Sequence, residues 1–151
     1  MDQKISQVLK ILCPSCDIET VVIQYVTIQM PQRARQSKGA GFMSRIKITG
    51  DSTIDLSKEL MEKYDVDTVP LYINMGEESF QDGVTVTPSD IYAYVARTGT
   101  LPKTAAPSVG DYLEFFSALK KEYDEITHFN ISSEFSSAHQ NALVAAQEIG
   151  G

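Results

Sequence analysis

Cysteine is scarce in this chain: the two residues, Cys13 and Cys16, lie close together and none follows. A disulfide-held secreted framework is thereby excluded for most of the sequence, and the usage fits a reducing compartment. Long apolar runs are missing as well. The best candidate, Ile18 to Met30, is interrupted by Gln24, Thr27 and Gln29 and falls short of the ~18 residues a spanning helix needs. Lys4 and Lys10 precede only Ile11 and Leu12 before Cys-Pro-Ser-Cys intervenes, so no signal-peptide apolar region follows them. These absences predict a cytoplasmic protein without a membrane span. Basic residues are outnumbered 13 to 20, for a formal charge of -7. An acidic body repels phosphate backbones and anionic headgroups, so no nucleic-acid partner is expected.

What is present is enough apolar sequence, 42%, for one domain with a core. The charge is uneven. Residues 1–42 hold five Lys or Arg against three Asp or Glu, whereas residues 43–151 hold eight against seventeen. Ile5, Val8, Leu9 and Leu12 recur at helical spacing, and Thr20 to Met30 is β-branched and strand-like. Pro31 to Gly41 then forms a polar, basic, glycine-punctuated linker, and Met43, a residue at which translation can itself begin, follows. Two segments are expected: an N-terminal extension with its linker, 1–42, and a domain, 43–151.

Within that domain strands alternate with helices. Arg45 to Thr49 reads as a strand ended by Gly50-Asp51-Ser52-Thr53, and Leu56, Leu60, Met61 and Tyr64 make one helical face. Val69 to Asn74 reads as a second strand, with a hairpin marked by Gly76 and Asp82-Gly83. Thr87-Pro88-Ser89-Asp90 opens a helix that stops near Gly99, and Ser108-Val-Gly-Asp111 carries a second capping signature. Ile126 to Ile131 is a third strand; Ala142, Leu143, Ala146 and Ile149 form the inward side of a last helix. The pattern predicts an α/β fold of three layers, a parallel sheet with helices on both faces, plus the extension.

Ligands of such sheets bind beyond the carboxyl ends of the strands. Here those ends carry hydroxyls, in Asp51 to Thr53 and in Ser132 to Ser136, and the loop with Lys103 and Thr104 is expected to converge on them. Each hydroxyl taken singly also suits a helix cap or turn. Together, neutral donors suit a carboxylate or phosphate held without a permanent counter-charge. No catalytic residue is assigned: the only histidines are His128, inside a strand, and His139, on the last helix, and the nucleophile-elbow glycines are missing. No cofactor is expected either, since no Gly-rich phosphate loop occurs. The Cys13–Cys16 pair offers two ligands where structural zinc wants four, so no metal is assigned.

The stretch Arg45-Ile-Lys-Ile-Thr-Gly-Asp51-Ser52-Thr53 resembles the opening of the DegV family, a strand ending in Asp-Ser-Thr. Lys63-Tyr64-Asp65-Val66 and Val69-Pro70-Leu71 resemble its second-strand entry. Leu101-Pro102-Lys103-Thr104-Ala105-Ala106-Pro107-Ser108 is similar to the family's Pro-Lys-Thr-Ser-Gln-Pro-Ser loop, and Ile131-Ser132-Ser133-Glu-Phe-Ser136-Ser137 to its Leu-Ser-Ser-x-x-Ser-Gly segment. The resemblance implies the first lobe of a two-lobed protein that binds a long-chain fatty acid and presents its carboxylate to a fatty-acid kinase, a carrier rather than an enzyme. By motif position it implies Thr104 and Ser133 as the carboxylate holders, with Ser132, Ser136 and Ser52 close by. Ala105-Ala106 and Ser137-Ala138 depart from the family pattern. The second lobe that should close the acyl tunnel is missing, so residues 43–151 are expected to be a lobe truncated before it, and a fragment that binds the ligand weakly or not at all. Two rival readings use the same features: a small-molecule kinase or hydrolase subunit built on the strand-end hydroxyls, and a regulatory fragment that binds zinc through Cys13 and Cys16.

Overall fold

The computed structural model describes Ile23–Gln29 and residues 45–150. Cys13, Cys16, the helical stretch from Ile5, the linker and Met43 lie outside the described residues. Two sheets organise the rest. Seven strands are described, β1 (Ile23–Gln29), β2 (Ile46–Asp51), β3 (Val66–Val69), β4 (Tyr72–Met75), β5 (Glu78–Gln81), β6 (Lys103–Ala105) and β7 (Glu125–Ile131). The helices are α1 (Lys58–Tyr64), α2 (Pro88–Thr98), α3 (Val109–Leu119) and α4 (Ala138–Gly150), and a 3-10 turn, Ser52–Ile54, follows β2.

The main sheet has the order β1-β7-β2-β3, with β2 parallel to both β3 and β7. The chain steps from β2 to β3 in one direction and returns past β2 to β7. Right-handed crossovers therefore set α1 and α3 on opposite faces, as the alternating pattern predicts. Ile126 and His128 of β7 meet Tyr112 and Phe116 of α3, and Ala142, Ala145, Ala146 and Ile149 of α4 close the same core. Those α4 residues recur three or four apart and are mostly alanine, which lets the helix lie close against α3 and β1.

Three expectations are corrected. First, Ile23–Gln29 does not stand apart from the domain: β1 pairs antiparallel with β7 along its whole length, from Ile23↔Ile131 to Gln29↔Glu125, so one edge of the sheet is antiparallel. Its alternation places Val26 and Ile28 in the core. Second, Val69 to Asn74 is not one strand. Pro70 has no N–H to give a ladder, and the chain leaves the main sheet there. Beyond it β4 begins a second sheet, ordered β5-β4-β6 and antiparallel throughout. Third, Lys103–Ala105 is not loop but the strand β6 on the other side of β4.

Local chemistry explains the element ends. The β4–β5 hairpin turns through Gly76, whose φ of 70 suits a residue without Cβ. At α2 the Asp90 carboxylate accepts from the Thr87 N–H at 2.9 Å and its hydroxyl at 2.6 Å. At α3 the reciprocal box is complete: Asp111 accepts from Ser108 N at 2.7 Å, and the Ser108 hydroxyl accepts from Asp111 N at 3.2 Å. Ser108→Ala is expected to lower stability by ~1 kcal/mol in urea unfolding, the usual loss for a cap. An unchanged midpoint would mean that α3 is held by packing alone.

At the amino end of the sheet Lys47 is buried between two carboxylates, 2.6 Å from Asp65 and 3.1 Å from Asp67. Burial alone would lower the ammonium pKa, but the hydrogen bonds and charges of Asp65 and Asp67 raise it. Asp65 is correspondingly held below its ordinary value by Lys47, with Tyr123 adding a hydrogen bond. This cluster fixes the turn after α1, where Asp65 has a φ of 52.

Candidate functional site

The order of the strands reverses at β2, and the carboxyl ends of β2 and β7 lie side by side there. In an open parallel sheet this is where a crevice forms. Asp51, at the end of β2, is the hub. It is 1% exposed. Its Oδ1 accepts from the Thr53 N–H at 3.1 Å and from the Thr53 hydroxyl. Its Oδ2 accepts from Ile131 N at 3.0 Å, at the end of β7, and from Asn130 Nδ2 at 3.4 Å.

Behind Asp51 a polar row runs into the core. Asn130 Nδ2 also lies 3.1 Å from the Tyr112 hydroxyl and 3.1 Å from His128 Nε2. With Nε2 accepting, the His128 proton sits on Nδ1 and is donated to Thr49 Oγ1 at 2.9 Å. Burial, and then the charge of His139, lower the His128 pKa from 6.5 to about 3, so the ring is neutral at ordinary pH. Burial, helped by the charge of Asp51, raises the Tyr112 phenol far above its ordinary value. Both rings are therefore fixed hydrogen-bonding groups. With both ring nitrogens engaged, His128 has no free nitrogen to serve as base for a strand-end serine.

The five hydroxyls singled out from sequence have different surroundings. Ser132 is buried, and its Oγ accepts from Glu134 N at 3.3 Å. Ser136 is half-buried and accepts from Ala138 N at 3.1 Å, at the start of α4. Ser52 accepts from Leu71 N at 3.1 Å, tying the end of β2 to the junction of the two sheets. These three shape the turns. Ser133 and Thr104 are exposed. Ser133 shares the β7 turn with Ser132, whereas Thr104 lies on β6 opposite Ile73, in the second sheet. Two bonds dock that region to the helices: Asn141 Nδ2 of α4 donates to Pro107 O at 2.7 Å, and the Tyr72 hydroxyl donates to Asp111 of α3 at 3.1 Å.

Asn130, Tyr112 and Thr49 were not among the expected residues. The available signal was the two-residue spacing of Ile126, His128 and Asn130, which puts two polar side chains on the core face of a buried strand. Among the described residues no group of His, Cys, Asp or Glu is arranged to hold a metal ion, and no helix is long and apolar enough to cross a membrane.

A family profile described as an uncharacterised protein of the DegV family matches residues 45–151. A DegV domain-containing protein of Clostridium perfringens is 40% identical over 107 residues, covering 71% of this chain and 38% of that protein. A fatty acid-binding protein of Thermotoga maritima is 34% identical, over 70% of this chain and 38% of its own length. Among solved structures, a fatty-acid-binding DegV family protein from Thermus thermophilus superposes with a TM-score of 0.65 at 34% identity, covering 71% of this chain and 38% of that one. A stearic acid-binding protein from Eubacterium ventriosum gives 0.63 at 36% identity, covering 69% and 36%. The chain thus spans well under half the length of the relatives it matches.

Proposed function

This chain belongs to the DegV family, and from that membership we propose that it is a fatty-acid-binding lobe, a carrier rather than a catalyst, whose strand-end hydroxyls hold the acyl carboxylate. The observation that carries this reading is the joining of two hydroxyl-bearing turns, Ser52–Thr53 and Ser132–Ser136, at the switch point of a parallel sheet. Relatives of similar fold and 34 to 36% identity bind fatty acids. Ser133 and Thr104, the exposed pair, are the groups we assign to the carboxylate; Ser132, Ser136 and Ser52 shape the turns that carry it. Residues 43–151 are the carboxylate-holding part, and the remaining length of the relatives supplies the cover for the acyl tail. Neutral hydroxyls fix a carboxylate yet leave it nucleophilic, whereas an arginine clamp would compete with transfer of a phosphoryl group to it. That chemistry suits presentation to a fatty-acid kinase.

Palmitate titrated calorimetrically into a verified monomer of this chain is expected to bind one to one with an affinity weaker than about 1 μM. Two or three hydrogen bonds to an ionised carboxylate are offset by its lost hydration, so tail burial must supply most of the affinity, at ~0.8 kcal/mol per methylene. Ser133→Ala should weaken binding about tenfold while lowering stability by no more than ~2 kcal/mol. Unchanged affinity would leave Ser133 a turn residue, and submicromolar binding would mean that this lobe covers the tail by itself.

A further inference from the structure

We propose that Asp51 is a positioning residue, a latch whose buried carboxylate holds the two hydroxyl-bearing turns in one fixed relation. The inference rests on the fatty-acid reading for its purpose, but its geometry stands alone. A single carboxylate accepts from both turns: Oδ1 serves the Thr53 N–H and hydroxyl, and Oδ2 serves Ile131 N and the Asn130 amide. Those donors belong to β2's turn on one side and to β7's end on the other, separated by about eighty residues of sequence. A carboxylate offers four acceptor sites, and here three are taken by Thr53 N, the Thr53 hydroxyl and Ile131 N, while the Asn130 amide at 3.4 Å is shared with Tyr112 and His128. Asp51 is thus not itself a ligand group, and being negative it would repel a carboxylate placed against it.

What the latch sets is the separation of the turns. Ser133 follows Ile131 by two residues, and its backbone is carried by Ser132, whose carbonyl accepts from Phe135 N at 2.9 Å and Ser136 N at 3.2 Å. A shift at Ile131 N is therefore passed directly to Ser133. On the other side Ser52 is pinned to Leu71 N, at the entry to the sheet that bears Thr104. The Asn130 side chain prevents Asp51 from relaxing inward, since it is itself engaged by Tyr112 and His128. Its Oδ1 is buried without a partner among the described residues, so a rotation that moved the amide away from Asp51 would also present the wrong atom to the carboxylate.

Asp51→Asn preserves shape but sets an NH2 group against one pair of N–H donors. Amide hydrogen exchange on the full chain is expected to quicken about tenfold or more at Thr53, Ile131 and Glu134, with Tyr112 and Phe116 amides of α3 changed far less. Uniform acceleration at every site, or none, would overturn the latch. Thr53→Ala, which removes only the exposed partner's hydroxyl, gives a milder version of the same test should Asp51→Asn fail to fold. It should still quicken exchange at Ile131 across the gap, and a change confined to residues 52–54 would count against the coupling. In palmitate titrations the loss caused by Ser133→Ala should shrink in the Asp51→Asn background, because the hydroxyl there is already misplaced; strictly additive losses would reduce Asp51 to a stabilising residue. If Ser133→Ala has no effect on palmitate in the unaltered chain, the carboxylate reading fails, and the exchange pattern still decides the latch.

Discussion

A chain that begins at Met43 is expected to lose several kcal/mol of stability, because β1 is removed with the first 42 residues. Val26 and Ile28 are 4% and 2% exposed in the core. Burying each such side chain contributes ~1.5–3 kcal/mol. The truncation also strips a seven-residue ladder from β7 and bares the side of α4 that packs on β1. The combined loss, on the order of 5 kcal/mol, is comparable with the whole stability of a domain this size. Urea unfolding of residues 1–151 beside 43–151 measures it. A cooperative transition with the same midpoint in both would show β1 to be dispensable and restore the boundary suggested by the charge break at residue 42.

Acid should weaken the fold before any carboxylate begins to titrate. His128 is 0% exposed, and its pKa is lowered to about 3 from 6.5. Between those values the unfolded chain binds a proton at this position and the folded one does not, so stability falls as pH falls through that window. From pH 6.5 to 4.5 the loss is about 2 kcal/mol, and it approaches its full extent only near pH 3. Asp65, Asp90 and Asp111 also have pKa values lowered in the folded state. Lys47 leads the effect at Asp65 and Thr87 at Asp90, while at Asp111 burial works the other way and the Ser108 cap outweighs it. Glu59 is lowered as well, chiefly by its hydrogen bond with Ser57, and all four contributions are lost only as pH falls through the carboxylate range, so above about pH 5.5 His128 is the lowered group that sets the slope. His128→Gln, neutral and able to bond both ways, should flatten the dependence of chemical-denaturation stability on pH there. A slope that survives the substitution would assign the acid sensitivity elsewhere.

The alternation of strands and helices, both capping signatures and the positions of the hydroxyl-rich turns are legible in the amino-acid sequence, because each depends on residues close together along the chain. Thr87 to Asp90 and Ser108 to Asp111 are chemically complete within four residues. Sheet membership is not legible in the same way. Nothing local says that Val69 and Tyr72, two residues either side of a Pro-Leu step, belong to different sheets; Pro70 marks the break without its destination. Nor does Thr20 to Met30 announce its partner, since the alternation that buries Val26 and Ile28 is the same whether β1 pairs with this sheet or with another chain. Basic charge and a glycine-rich linker argue for separation, yet neither bears on the apolar face of β1. The buried row from Thr49 to Asp51 is visible only as polar residues in a strand, and its partners lie roughly eighty residues away.

The place of β7 between β1 and β2 governs the order in which the chain can fold. During synthesis β1 emerges first, yet its partner follows roughly a hundred residues later, as in the pairing of Val26 with His128. β2 and β3 are near enough in sequence to join early. The second sheet is likewise local, since β4 and β5 form a tight hairpin. The central ladder must wait, and until Ile131 has left the ribosome two strands keep open edges on either side of a gap. Pairing of β7 with both neighbours is what brings Asp51, Asn130 and both turns together. The strand ends that Asp51 ties together are consequently joined only once β7 is made, and a nascent chain stalled before β7 exposes strand edges able to pair with other strands.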